Sequence, residues 1–311
     1  MTGSSEQAIR IRRAGALTTV QDCGRPGYAH LGVPRSGALD APAHHLANRL
    51  VGNAPAAPVL ETTLTGAAVS AECDVIAAVT GAQAPVRVDG QAARMGAAIT
   101  LRRGQLLEVR SATSGVRSYL AFSGGLAVPR VLGSASADLL SGLGPARLAD
   151  GDVLQLGPLD GTEDLDGCAL GELPAGGGVP GPLQLVIHPG PRFDWLAGRG
   201  LAELEDGQWT VSPDSNRVAL RLAGAPVRRR RGELASEGLV SGAIQALPDG
   251  HLVLFLADHP TTGGYPVIAV VDRASLPACA QARPGSEISF RLASGIDRHD
   301  WPPPPDPPDV W

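Results

Sequence analysis

The densest set of reactive side chains lies in residues 18–40. There Gln21, Asp22, Arg25, His30, Ser36 and Asp40 stand between Gly24, Gly27, Gly32, Gly37 and the prolines Pro26 and Pro34. Glycine admits positive φ and close approach, and proline fixes φ and removes a donor, so the segment reads as a shaped loop that presents polar groups. Arg25 offers a planar fork suited to a carboxylate or phosphate. Asp22 can pair with Arg25, either to orient that fork or only to fix the loop. Asp40 suits a helix cap, its carboxylate accepting from the first exposed N–H groups. The loop is not a phosphate loop: the lysine of GxxxxGK[ST] is absent and GxGxxG is not matched.

A second constellation is Asp258-His259-Pro260-Thr261-Thr262-Gly263-Gly264-Tyr265-Pro266. It joins two apolar runs, 251–257 and 267–271, that read as buried strands and would anchor a polar tip rigidly. Gly263-Gly264 permits a turn whose N–H groups converge on an anion. The hydroxyls of Thr261, Thr262 and Tyr265 add donors. The plainer alternative is a hairpin turn with a packed tyrosine. A third set is Glu237, a candidate base or metal-nucleotide ligand, with Gln245, which can bind an amide or carboxylate, and the pair Asn216-Arg217. A lone glutamate is more often a solvated charge, and the run Arg228 to Arg231 reads as a solvated loop before it reads as an anion guide.

His30, His44, His45, His188, His251 and His259 show no metal-ligand spacing, and Cys23, Cys73, Cys168 and Cys279 form no CxxC pair. No metal centre is therefore expected. A Ser-His-Asp triad cannot be assembled from the sequence. Scattered thiols fit a reducing compartment. Cys23 reads as a tolerated small side chain.

Positioning these groups falls mostly to strands. Residues 9–19 read as a first strand, and 41–50 as a helix capped by Asp40, with Ala43, Leu46, Ala47 and Leu50 on its buried face and Gly52 at its end. Further strands are expected at 67–71, 75–80, 85–89, 97–102, 105–110, 117–123, 153–156, 183–188, 217–222, 252–257 and 266–271, and short helices near 192–197 and 274–281. Segments 103–109, 150–156 and 284–290 each place glycine in a turn before alternating apolar and polar residues. Residues 160–182 are acidic, then rich in glycine and proline, and read as a linker. It divides an N-terminal β-rich lobe, 9–159, from a C-terminal one, 183–294. The tail 295–311 should be extended.

The chain has 311 residues, 40 glycines, 27 prolines and a net charge of −5. Length allows two domains, the glycine and proline content favours short strands with tight turns, and the acidic balance disfavours nucleic acid. There is no lysine. That excludes a Schiff-base lysine, a phosphate-loop lysine and a biotinylated lysine within this chain. No signal-like apolar run or membrane-span-length segment is apparent, so a cytoplasmic protein without a membrane partner is expected.

Residues 18–40 resemble the opening motif of the allophanate hydrolase subunit 2 family, roughly TxxQDxGRxGxxxxGVPxSGAxD. Further matches are 48–53 (NRLVGN), Leu60-Glu61, Ser215-Asn216-Arg217, Ser236-Glu237-Gly238, Gly242-Ala243-Ile244-Gln245 and 261–266 (TTGGYP). Two positions depart from the pattern: Cys23, where the family usually has another residue, and Ala219, where glycine is common. The resemblance implies two mostly β lobes of cyclophilin-like barrel architecture with a few short helices. It implies a subunit of an ATP-dependent 5-oxoprolinase, with magnesium-bound ATP, that opens the lactam of 5-oxo-L-proline to L-glutamate. Its partners would be the A-type subunit of that enzyme and a B-type one similar to allophanate hydrolase subunit 1. It also implies the site: Asp22, Arg25, Glu237 and Asp258 as catalytic groups, and Gln21, His30, Ser36, Asn216, Arg217, Gln245, Thr261, Thr262, Gly263, Gly264 and Tyr265 around a small amide or lactam and the nucleotide. Two relatives within the family offer alternatives. One is a carboxyltransferase using a separate biotin carrier, and the other a KipA-like antagonist of a histidine-kinase inhibitor.

Overall fold

The computed structural model describes residues 7–158, 182–197 and 200–293. Apart from Pro182, the expected linker lies outside these residues, as does the tail 295–311. The chain divides into two compact units, Met1–Tyr28 with Arg35–Gly178, and Ala29–Pro34 with Val179–Trp311.

The first unit holds β1 (Ala8–Arg13), β2 (Leu17–Gln21), α1 (Ala41–Leu50), β3 (Val59–Thr63), β4 (Ala68–Ala71), β5 (Val75–Gln83), β6 (Val86–Val88), β7 (Gln91–Ala93), β8 (Ala98–Leu101), β9 (Leu106–Val109), β10 (Ser114–Phe122) and β11 (Val153–Gln155). They form two sheets, ordered β11-β1-β4-β9-β6-β7 and β2-β3-β10-β5-β8. The expected single strand at 9–19 is broken. Its halves, β1 and β2, lie in different sheets, with Ala14–Ala16 as the corner between them.

Alternation explains the core. Ile9, Ile11, Val69, Leu107 and Val109 of one sheet pack with Val20, Leu60, Val79, Leu120 and Phe122 of the other. The neighbouring positions Val59, Ala78, Tyr119 and Ala121 point to the opposite face of the second sheet, where α1 covers them. With a period of two, Thr19, Gln21 and Glu61 share that covered face. Burial on both faces is why β10 reads as a near-continuous buried run.

Helix α1 starts as expected. Asp40 accepts from the Ala43 N–H at 3.0 Å, an interaction whose loss costs about 1 kcal/mol. Its buried face differs from the expectation: Ala43, His44, Ala47 and Asn48 are buried, and Leu46 and Leu50 only partly. The reason is close seating. The Thr80 hydroxyl donates to Ala43 O, and small side chains line the contact, so the polar His44 and Asn48 turn inward and meet loop carbonyls.

The second unit holds β12 (Leu183–Pro189), α2 (Gly200–Asp206), β13 (Trp209–Val211), β14 (Ala219–Gly224), β15 (Glu237–Gly238), β16 (Ala243–Ala246), β17 (Leu252–Phe255), β18 (Thr262–Gly263), β19 (Val267–Val271), α3 (Leu276–Gln281) and β20 (Glu287–Leu292). Seven of its strands close a barrel in the order β12-β19-β16-β17-β14-β13-β20, with β12 and β20 parallel at the closure. The fold is thus mostly β with a few short helices, as expected; the closed barrel is in this unit, and the first unit is a pair of packed sheets. A short 3-10 turn stands at Phe193–Trp195, where a helix was expected, whereas the helix expected near 274–281 is formed as α3, preceded by a 3-10 turn at Arg273–Ser275. The three glycine-turn segments end in β9, β11 and β20.

One topological detail sets the second site. The strands flanking residues 256–266 are not a hairpin: β17 and β19 both pair with β16, which lies between them. The connection therefore passes over β16. On the way, β18 pairs with β15, matching Glu237 to Gly263 and Gly238 to Thr262.

Candidate functional site

In the first unit, the loop after β2 is organised around Asp22. Its Oδ1 accepts from the hydroxyls of Ser134 and Ser136, both at 2.6 Å, and from the Gly24 N–H at 2.8 Å. Its Oδ2 accepts from the Ala135 N–H at 2.7 Å, with the Arg130 guanidinium at 3.4 Å. Burial pushes the Asp22 carboxyl up, but the hydrogen bonds from Ser134, Ser136, Ala135 and Gly24 outweigh it and hold the group below its usual value. Gly37 lets the loop close on itself. Its φ is 98°, and a side chain there would stand 2.8 Å from Gly24 N.

Arg25 does not pair with Asp22, contrary to expectation. It is buried, and its guanidinium donates to Ser136 O and, at 3.3 Å, to Val131 O; Nη1 finds no partner among the described residues. Gln21 donates to Thr19 Oγ1 and Ala137 O, and the Ser36 hydroxyl also donates to Ala137 O. Arg25, Gln21 and Ser36 thus bind the 131–138 segment to the loop. His30 lies on a separate exposed turn, Ala29–Leu31. Sequence reasoning missed Ser134, Ser136 and Arg130, since small polar residues more than 100 positions away carry no local signal. It also gave no role to Glu61 beyond a motif match. The Glu61 carboxylate accepts from Tyr119 Oη and Leu39 N, and Tyr119 Oη accepts from Asp40 N.

Beside this hub, Cys23 lies against α1, its Sγ 3.6 Å from His45 Nε2. His44 stacks edge-on with His45 and places Nε2 3.1 Å from Ala57 O. Burial and the neighbouring His45 push His44 down to about 4, so its ring is neutral at physiological pH.

In the second unit, the ribbon of β15 and β18 carries the candidates. Glu237 is gripped by Arg192, whose Nε lies 2.9 and 3.0 Å from the two carboxylate oxygens and whose Nη2 also donates to Oε1. That pairing holds Glu237 below the usual glutamate range and makes it an anchor for the arginine rather than a proton acceptor. Arg192 Nη1 makes no protein hydrogen bond among the described residues, and the side chain is half-buried. Gln245, on β16 beneath the ribbon, donates to Tyr265 O at 2.9 Å. Gly263 allows this: a Cβ there would sit 2.8 Å from Gln245 Nε2. The expected anion-binding turn at Gly263-Gly264 is not formed, since Gly263 is in a strand and neither glycine has positive φ. Thr262, Gly264 and Tyr265 are exposed, and Thr261 partly so.

Asp258 and Arg217 form a buried two-point ion pair, 2.9 Å at each contact. Both side chains are at most 1% exposed. This joins two of the sequence motifs but leaves Asp258 no path to a substrate, so the geometry gives it a structural role instead of the catalytic one expected. Asn216 is exposed and accepts from Val218 N, shaping the turn before β14. The Arg228 to Arg231 run is not simply solvated: Arg228 pairs with Glu203, Arg229 lies over the Trp195 ring at 5.9 Å and Arg230 stands 4.0 Å from Asp194. Among the described residues, no helix is long and apolar enough to cross a membrane.

The site residues thus fall into two kinds. Asp22, Arg25, Gln21, Ser36, Arg217 and Asp258 are buried and committed to the protein. Thr262, Tyr265 and the open edge of Arg192 face outward, backed by Glu237 and Gln245. Arg192 was missed in the sequence; its signal was the Pro189-Gly190-Pro191-Arg192 turn directly after a strand.

Comparison with known proteins bears on both. The chain is 37% identical to the C-type subunit of 5-oxoprolinase from Escherichia coli over 91% of its own length and 90% of that protein. It is 33% identical to urea amidolyase of Saccharomyces cerevisiae over 91% of its length, but spans only 16% of that protein. Among solved structures, TTHA0988 superposes with a TM-score of 0.81 at 38% identity, covering 92% of this chain and 55% of that one. The K. lactis urea amidolyase superposes with a TM-score of 0.85 at 29% identity over 93% of this chain and 19% of that one. Residues 31–292 match the family described as carboxyltransferase domain, subdomain A and B, and the chain belongs to that family.

Proposed function

We propose that this chain is the C-type subunit of an ATP-dependent 5-oxoprolinase, acting with an A-type partner and a B-type partner similar to allophanate hydrolase subunit 1. The observation that carries the reading is coextension: the match to the C-type subunit of 5-oxoprolinase runs over nine-tenths of both proteins, whereas urea amidolyase is matched over a sixth. In this reading the substrate is a small lactam bearing a carboxylate. A lactam carbonyl is a poor electrophile. Transfer of the ATP γ-phosphoryl group to its oxygen, releasing ADP, makes the carbon open to water; loss of phosphate and cleavage of the C–N bond then leave glutamate. The net reaction consumes one lactam, one ATP and two waters and yields one glutamate, one ADP and one phosphate.

The role of this chain is to bind and orient. Arg192 presents Nη1 to the substrate carboxylate while Glu237 fixes its other edge. The hydroxyls of Thr262 and Tyr265 donate to the lactam or to the transferred phosphoryl group. Gln245 holds the Tyr265 backbone in place.

The test is reconstitution of three purified proteins with glutamate release and ATP hydrolysis as readouts. Coupled activity should require all three. Full activity with this chain left out would end the reading. A second reading, carboxyl transfer, is favoured by the family match and the urea amidolyase superposition. It requires a separate biotin carrier, because this chain has no lysine to biotinylate. Carboxylation of an amide substrate when carboxybiotin carrier is supplied, with no lactam opening, would select it.

A further inference from the structure

We propose that Cys23, His44 and His45 form a binding site for a zinc-class divalent cation, built across the β2–α1 loop and the first turns of α1. A sulfur from Cys23 and one ring nitrogen from each histidine lie within 4.8 Å of one another. The Cys23 Sγ to His45 Nε2 distance of 3.6 Å matches the edge of a tetrahedron with Zn–S of about 2.3 Å and Zn–N of about 2.0–2.1 Å, which is roughly 3.5 Å. One thiolate with two imidazoles is a borderline donor set that favours zinc over magnesium or calcium.

The hydrogen-bond pattern around His44 supports this. Ala57 O can only accept, and at 3.1 Å it is nearer His44 Nε2 than the Asn48 amide nitrogen at 3.5 Å; a proton on Nε2 satisfies the carbonyl and leaves the Nδ1 lone pair for the metal. A backbone carbonyl on the far ring nitrogen is the usual support of a metal-bound imidazole. The three ligands are also pre-positioned. Cys23 stands between Asp22 and Gly24, which the hub fixes, and the histidines follow the Asp40 cap. No sequence spacing reveals the set: the cysteine is some 20 residues away, and consecutive helical positions diverge by about 100°.

Binding displaces one proton, from the Cys23 thiol to solvent, and forms the sulfur–metal bond. Because Cys23 is exposed, the fourth position lies on the solvent side and takes water. A bound ion ties the loop to α1.

The full-length chain, stripped with a chelator, should bind one zinc per molecule with micromolar or tighter affinity in competition with a chromophoric chelator. Cobalt(II) in its place should give a thiolate-to-metal charge-transfer band. His44 is buried, so the variants are Cys23→Ser and His45→Ala, with far-ultraviolet circular dichroism checking the fold. Each should weaken zinc binding by more than ~100-fold, beyond the 10–100-fold that loss of a supporting hydrogen bond costs. Cys23→Ser should also abolish the cobalt band, while Cys73→Ser leaves affinity and band unchanged. A wild-type chain without the band, or a Cys23→Ser chain that binds zinc as tightly as wild type, overturns the proposal.

Discussion

Asp22 of the first unit and Glu237 of the second are both carboxylates in a family motif, yet their surroundings are opposite. Asp22 is buried and takes donors from Ser134, Ser136, Ala135 and Gly24, with Arg130 at its edge. Glu237 is half-buried on a two-residue strand, and among the described residues its carboxylate pairs with Arg192 alone. A saturated, desolvated anion can shape a loop but cannot exchange a hydrogen bond for a ligand without losing a buried partner. A half-exposed fork can present a free edge at little cost. Sequence motifs therefore mix two kinds of residue, those that hold a backbone in shape and those left open to solvent, and burial separates them.

The comparison breaks most easily at its buried end. Asp22→Ala leaves the donors of Ser134, Ser136, Ala135 and Gly24 without their acceptor and should cost about 4 kcal/mol, near the upper part of what losing one member of a buried charged network costs. Calorimetry should show Tm falling by roughly 10 °C. A shift of less than about 2 °C would mean that the hub does not hold the loop. Arg217→Ala should cost about 3 kcal/mol by stranding the Asp258 carboxylate. Adding Asp258→Ala should recover part of that loss, and a double-mutant cycle in urea measures the coupling.

Smaller effects test the exposed end. Gly263→Ala pushes a methyl group toward Gln245 and should cost about 1–2 kcal/mol while displacing the Tyr265 carbonyl from Gln245. Arg192→Ala should change stability by less than about 1 kcal/mol, as exposed ion pairs do. In the reconstituted enzyme it should instead raise KM for the lactam by about 10–100-fold, the equivalent of a charged hydrogen bond. Lysine, lacking the two-edged fork, should not restore it. A kcat loss with unchanged KM would place Arg192 away from the substrate carboxylate.

The smallest expected effect is a pH response that is absent. Arg192 holds Glu237 below the usual glutamate value, so whatever the fork contributes is present above that value and fades only as pH falls through the lowered one. KM should therefore show no ionisation from Glu237 between about pH 5 and 8. A step in that interval that disappears in Glu237→Gln would contradict the pairing.

Local rules read well wherever one element decides the outcome. The Asp40 cap and the helix behind it were legible because capping involves adjacent residues. The glycine turns that precede β9, β11 and β20 were legible for the same reason. Reading failed where a neighbour decides. The side of α1 that is buried depends on the sheet beneath it, and on carbonyls at Pro55 and Ala57 that accept from Asn48. The link between β17 and β19 looked like a hairpin because both runs are apolar and close in sequence, but β16 pairs between them.

The mostly β class, the family and the positions of the polar motifs could be read from the chain alone, since periodicity, turn residues and motif order are all local quantities. The tertiary structure alone decided what each polar group faces. It brought Ser134 and Ser136 to Asp22, Asp258 to Arg217, Arg192 to Glu237, and Cys23 to His44 and His45. Those pairings join residues from 20 to more than 100 positions apart, and only packed sheets and a closed barrel make such distances in sequence short in space.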